Sequence, residues 1–100
     1  MTKQAIIDVI QKFAENSGKM YYQEFYIGIT SDINERLFKG HKVDENNSAY
    51  IYKCADTEEI ARDVEKHFLD KGMKGDTGGG TGNNDVKWVY CYVLAKNTEP

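Results

Sequence analysis

Three reactive side chains lie on segments whose pattern predicts regular structure: the phenol of Tyr26, the guanidinium of Arg36 and the carboxylate of Glu65. A phenol can exchange a proton, a guanidinium fork binds oxyanions such as phosphate, and a carboxylate can hold a hard divalent cation. Each also has a purely structural use. Tyr26 can rest at the rim of a sheet, Arg36 can pair with Asp32, and Glu65 can mark the edge of an apolar helix face.

Three helices are predicted from apolar residues at helical spacing and from residue types that favour helix ends. They cover residues 1–18, 32–39 and 57–71. Thr2 is placed to cap the first helix, and Asp56 with Glu59 forms a capping box for the third. Glycines are expected to end the helices: Gly18, Gly40 and Gly72.

Three strands alternate with these helices, at residues 20–30, 49–55 and 86–95. The predicted fold is α+β, a small three-stranded sheet flanked by three helices in the order α-β-α-β-α-β. The 100 residues form one domain, with an N-terminal helix (1–18), a core (20–95) and a frayed tail (96–100). The connections allow parallel or antiparallel neighbours, so strand pairing stays open.

The charge balance of 13 basic and 16 acidic residues gives a net charge of −3. This argues against a protein that holds nucleic acid by bulk electrostatics, but allows an enzyme with a local basic groove. No apolar run approaches the length of a membrane span, and residues 1–12 do not resemble a signal peptide, so a cytoplasmic protein is expected. Cys54 and Cys91, without a CxxC partner, are expected to be core thiols.

The segment 26–37 resembles the second half of the core of the GIY-YIG nucleases. That family has a YIG tripeptide at the end of a strand, a Thr two residues later, and an Arg-Leu pair on the next helix. A further match is the family's Ala-x-x-x-Glu helix. The matching residues here are Tyr26, Gly28, Thr30, Arg36, Leu37, Ala61 and Glu65.

The resemblance implies a GIY-YIG-like core and a metal-dependent endonuclease that hydrolyses phosphodiester bonds of DNA or RNA. By this resemblance Glu65 holds Mg²⁺ or Mn²⁺, and Arg36 binds the scissile phosphate with its planar fork. Tyr26 would position or deprotonate the attacking water. Gly28 and Thr30 would support the site. Given the acidic net charge, a partner domain or subunit would be needed for affinity.

The GIY half of the family pattern is missing. The family has a second Tyr on a strand about ten residues before the YIG, whereas the residue at that place is Asn16, near the end of a predicted helix. One repair is that the C-terminal strand, with Tyr90 and Tyr92, fills the empty slot in the sheet and returns a Tyr to the site.

The family's His and late Asn match imperfectly. The family often has a His four residues after the Arg, but His41 is five residues after Arg36. On a continuing α-helix the extra residue rotates its side chain by about 100°, although a break at Gly40 would let His41 swing inward. For the late Asn, the candidates are Asn83 and Asn84.

The glycine-rich stretch at residues 75–85 fits neither phosphate-binding glycine motif, because it follows a helix and leads into a strand. It is interpreted either as a mobile loop or as a ligand-contacting lid.

Three functions stay open: a GIY-YIG-like endonuclease, an inactive GIY-YIG-like module that binds protein or nucleic acid, and an unrelated α+β domain. Convergence of the phenol, guanidinium and carboxylate on one cleft would favour the first. Exposure of Glu65 to solvent, away from Arg36, would exclude it.

Overall fold

The computed structural model of the protein describes residues 1–75 and 86–100. The elements in chain order are α1 (Lys3–Asn16), a short 3₁₀ helix (Tyr22–Glu24), β1 (Phe25–Thr30), a π-helix (Asn34–Gly40), β2 (Tyr50–Cys54), α2 (Glu58–Asp70) and β3 (Trp88–Val93). The predicted α+β class, with a small three-stranded sheet and three longer helices, is confirmed.

The last strand of the chain lies in the middle of the sheet. The strand order is β1-β3-β2, and β3 is antiparallel to both neighbours. In the register with β1, Tyr90 is opposite Gly28 and Tyr92 is opposite Tyr26. The sequence leaves the strand pairing open. In the structure β3 lies between β1 and β2 and pairs with both, so it joins the two into one sheet.

The two faces of the sheet carry different side chains because strand residues alternate in direction. Odd-numbered residues of β1 and β3 join α1 and α2 in the larger apolar core, which also buries Cys91. Even-numbered residues of these strands join Leu37 of the π-helix in a second cluster. Members of the second cluster include Tyr26, Val43, Tyr90 and Tyr92. The second face is therefore aromatic, and it carries the candidate site.

Side-chain caps begin both α-helices. The Thr2 hydroxyl accepts the N–H of Ala5 at 3.2 Å, as predicted. The Thr57 hydroxyl accepts the N–H of Ile60 at 3.1 Å, so the predicted capping box at Asp56 is one residue too early. Within residues 1–75 and 86–100, no helix is long and apolar enough to cross a membrane.

The first strand is shorter than predicted because a side chain bends the chain before it. The Glu24 carboxylate accepts the backbone N–H groups of Met20 and Tyr21, both at 3.2 Å. These bonds hold the segment in the 3₁₀ helix, so β1 begins at Phe25 rather than at residue 20.

The C-terminal tail, which the sequence predicts to be frayed, packs against the fold through Thr98 and the backbone of Glu99. Thr98 has only 7% of its surface exposed. The Glu99 N–H donates to the carbonyl of His41 at 2.7 Å. A buried side chain and a long-range backbone bond give the tail a fixed place beside the second cluster.

A Gly28→Ala substitution should destabilise the protein because the Tyr90 ring lies across Gly28, and a Cβ atom there would overlap its Cζ and Oη atoms. Overpacking of this kind costs about 1–3 kcal/mol. Urea unfolding should show that loss in the wild-type background and a smaller loss in a Tyr90→Val background. Equal losses in both backgrounds would contradict the close approach.

Candidate functional site

The π-helix sets Arg36 and His41 on the same side of one helical turn. The His41 N–H donates to the carbonyl of Arg36 at 2.9 Å, across five residues. This i→i+5 bond defines a π-helix, and it sets the fifth residue over the first. Gly40 lies inside the element and does not end it at residue 39. Despite the extra residue between them, the side chains of Arg36 and His41 both reach the hydroxyl of Tyr90.

The central strand β3 brings two further tyrosines to this face. Tyr92 pairs with Tyr26 in the register, and their rings stack with centroids 5.3 Å apart. The Tyr26 ring also lies 4.6 Å from the ring of His41, centroid to centroid. The strand β3 therefore lies directly beside β1 and brings Tyr90 and Tyr92 to the face that carries Tyr26.

The Tyr90 hydroxyl is the centre of the hydrogen-bond network. Its oxygen lies 2.7 Å from Nε2 of His41 and accepts a hydrogen bond from Nε of Arg36 at 3.3 Å. On the other side of the imidazole, Nδ1 lies 2.7 Å from the backbone oxygen of Glu99. The phenol of Tyr90, distant in sequence, therefore joins the imidazole of His41 and the guanidinium of Arg36 in one hydrogen-bonded network.

Burial and hydrogen bonding determine the protonation states of the side chains in this network. The hydrogen bond to Tyr90 raises the pKa of Arg36, with a further contribution from Tyr26, so the guanidinium stays charged. Burial lowers the pKa of His41, and the positive charge of Arg36 lowers it further. Burial raises the pKa of Tyr90, a rise that Arg36 opposes. At neutral pH the site holds a neutral phenol, a neutral imidazole and a cation.

Glu65, the predicted metal ligand, is a buried side chain of α2. It lies on α2 with only 6% of its surface exposed, and its charge contributes to the raised pKa of Tyr90. Mg²⁺ is usually bound by one or two carboxylates, with water and substrate phosphate oxygens completing the shell. The buried carboxylate of Glu65 is a donor of that kind. No group of three or more His, Cys, Asp or Glu residues is placed for a metal among residues 1–75 and 86–100.

A cleft of about 570 Å³ opens beside the network. Its walls include Tyr26, Arg36, His41 and Lys74. Backbone bonds fix Lys74 to the outer edge of β1: its N–H donates to Phe25 and its carbonyl accepts from Ile27, both at 2.8 Å. Lys74 was missed by sequence analysis because only this pairing brings it to the cleft.

The remaining predicted residues have different places. Gly28 supports the site, since its missing side chain makes room for Tyr90. The Thr30 hydroxyl accepts the N–H of Asp32 at 3.1 Å and thereby shapes the turn after β1. The late-Asn candidates, Asn83 and Asn84, lie outside the described residues, as does most of the glycine-rich stretch.

No family model, curated protein or solved structure matches this chain. The GIY-YIG resemblance therefore depends on the residues and spacings described above and on the site that they form.

The buried imidazole should make stability depend on pH. Burial favours neutral His41 in the folded protein, whereas an unfolded chain protonates it near pH 6.5. The unfolded chain therefore binds more protons, so the stabilisation is complete above about pH 6.5 and is lost as the pH falls below it.

Thermal unfolding of wild-type protein and of a His41→Gln variant across this pH range tests the prediction. The wild-type Tm should fall more steeply toward acid pH. His67 is present in both proteins and serves as an internal control. Parallel pH profiles would show that His41 does not titrate in the expected direction.

Proposed function

We propose that this protein is a GIY-YIG-like, metal-dependent endonuclease that hydrolyses phosphodiester bonds of DNA or RNA. The observation that carries the proposal is the Tyr90 hydroxyl, which is bonded to His41 and Arg36 beside an open cleft. Packing of the sheet requires none of these three polar groups. The buried carboxylate of Glu65, whose charge acts on Tyr90, supports the proposal further.

The hydrogen bond from Tyr90 to His41 provides a path for a proton that leaves the attacking water. As a water oxygen forms a bond to phosphorus, Tyr90 accepts the water's proton and releases its own to Nε2 of His41. The bond from phosphorus to the leaving sugar oxygen breaks, and that oxygen takes a proton from solvent. We assign this role to Tyr90 because the acceptor nitrogen lies 2.7 Å from its hydroxyl oxygen.

The cations of the cleft suit a phosphate substrate. Arg36 keeps its charge and aims a planar donor group into the site, which favours the trigonal oxygens of phosphate in the transition state. Lys74 adds a second positive charge on the cleft wall. The cleft thus carries two cations, with the acidic residue Glu99 also on its wall, in a chain of net charge −3.

Glu65 is the residue that would hold Mg²⁺ or Mn²⁺. When bound, the ion supplies positive charge to the phosphate oxygens as negative charge develops on them. The isosteric Gln side chain keeps the volume of Glu65 but removes the charge that would attract a cation.

A rearranged chain order would account for the absence of the GIY half from its usual position. In the family the additional Tyr lies on a strand that precedes the YIG strand, whereas here Tyr90 lies on the strand that ends the described fold. In this protein β1, which carries Tyr26, and β3, which carries Tyr90, are nevertheless direct neighbours in the sheet. We infer a rearranged order of a GIY-YIG-like core, in a cytoplasmic protein that gains affinity from a second domain or subunit.

Removal of the buried carboxylate or of the guanidinium should abolish metal-dependent cleavage. We expect Glu65→Gln and Arg36→Gln each to lower the rate of DNA or RNA cleavage by about 10²–10³-fold. Removal of Mg²⁺ with a chelator should stop the wild-type reaction. The substrates are supercoiled, branched and single-stranded DNA and RNA, at low salt.

Glu59→Gln is the matched control, because Glu59 is exposed on the same helix. Its rate should equal that of the wild type, and circular dichroism should show all variants folded. Cleavage that survives both site substitutions would contradict the proposal. A wild-type protein that binds these substrates without cutting them would favour an inactive binding module instead.

Lys74→Gln should weaken nucleic-acid binding because it removes a phosphate contact. With branched DNA in the presence of a chelator, the slope of log K against log salt should become shallower by about one. Lys12→Gln makes the same charge change at an exposed position of α1 and should leave the slope unchanged. Equal effects of the two substitutions would mean that Lys74 acts only through net charge.

A further inference from the structure

The segment after β3 folds back over the imidazole of His41. Thr98 closes a turn: its N–H donates to the carbonyl of Ala95 at 3.1 Å, and its hydroxyl accepts the N–H of Ala95 at 2.9 Å. With Thr98 buried, the turn directs the next residue, Glu99, toward His41. The tail therefore has a defined conformation that ends at the site.

Glu99 contacts His41 through backbone atoms at two points. Its N–H donates to the carbonyl of His41 at 2.7 Å, and its carbonyl oxygen lies 2.7 Å from Nδ1 of the imidazole. A carbonyl oxygen can only accept a hydrogen bond, so Nδ1 must carry the hydrogen. A neutral imidazole has a single N–H group, which leaves a free electron pair on Nε2.

The direction of every bond at Tyr90 follows from this assignment. The lone pair of Nε2 accepts the hydrogen of the Tyr90 hydroxyl, 2.7 Å away. The Tyr90 oxygen is then free to accept the N–H of Arg36. In the opposite tautomer, Nε2 would donate to the same oxygen as Arg36, and the Tyr90 hydrogen would lose its acceptor.

We propose that the turn of Thr98 and the backbone of Glu99 are a positioning device that fixes His41 in the Nδ1–H tautomer, so that Nε2 can take the proton of Tyr90. The catalytic importance of this device rests on the proposed function. The tautomer itself does not, because it depends only on bonds within the folded chain.

Other groups around the imidazole do not replace Glu99. The Tyr92 hydroxyl lies 3.1 Å from Nδ1, farther than the Glu99 carbonyl, and can take either end of a hydrogen bond. The Tyr26 ring packs against the imidazole ring. Arg36 is a nearby cation, and a guanidinium cannot accept a hydrogen bond from Nδ1. The Glu99 carbonyl is thus the group that forces the hydrogen onto Nδ1.

Nitrogen NMR of protein labelled with ¹⁵N-histidine tests the device, since the shifts of Nδ1 and Nε2 distinguish the tautomers. At a pH where His41 is neutral, the wild type should show Nδ1–H. Deletion of residues 96–100 should shift His41 toward Nε2–H or a mixture, and Thr98→Val should shift it in the same direction. His67 should not change.

Activity supplies a second readout. The deletion should lower the cleavage rate by about 10–100-fold, as is typical when a partner that orients a histidine is lost. The Nε2–H tautomer in the wild type would overturn the inference, whether or not the deletion variant folds. So would an unchanged His41 spectrum in Thr98→Val and in the folded deletion variant. A tautomer shift in a protein that never cleaves would support the device and refute the proposed function.

Discussion

A buried hydroxyl needs hydrogen-bond partners, and the Tyr90 hydroxyl finds them on elements that are distant in sequence. Tyr90 has 1% of its surface exposed, on the central strand of the sheet. Its position therefore depends on β3 pairing with both neighbours, on the π-helix that carries Arg36 and His41, and on the tail that holds His41. A change in any of these elements would leave polar groups unsatisfied in an aromatic environment, which is costly.

Two local departures from regular packing make this arrangement possible. A missing Cβ at Gly28 lets the Tyr90 ring lie across β1. An extra residue in the turn after Arg36 is absorbed by π-helical bonding, which sets His41 over Arg36. π-Helical turns are rare and occur often at functional sites. Both departures serve the same hydroxyl, which links the local conformation of the chain to the chemistry proposed for it.

Most of the fold can be predicted from the periodicity of apolar residues and from helix-capping residues, but the site can be predicted only in part. Apolar residues at helical spacing, such as Ile10 and Val64, predict the two α-helices. Runs rich in aromatic and β-branched residues predict the three strands. The 3₁₀ helix was missed because side-chain bonds from Glu24 outweigh the strand preference of its neighbours. Tyr26, Arg36 and Glu65 are candidates through the resemblance to the GIY-YIG motifs. Lys74 and Glu99 are not, since each acts through backbone bonds that exist only in the folded chain.

The central claim is that Tyr90, not Tyr26, exchanges a proton with the attacking water. Single-turnover cleavage by Tyr90→Phe and Tyr26→Phe measures this most directly, because each substitution removes one hydroxyl and keeps the ring. We predict a loss of about 10²–10⁴-fold for Tyr90→Phe and a clearly smaller loss for Tyr26→Phe. Near-normal cleavage by Tyr90→Phe, with cleavage abolished in Tyr26→Phe, would contradict the account.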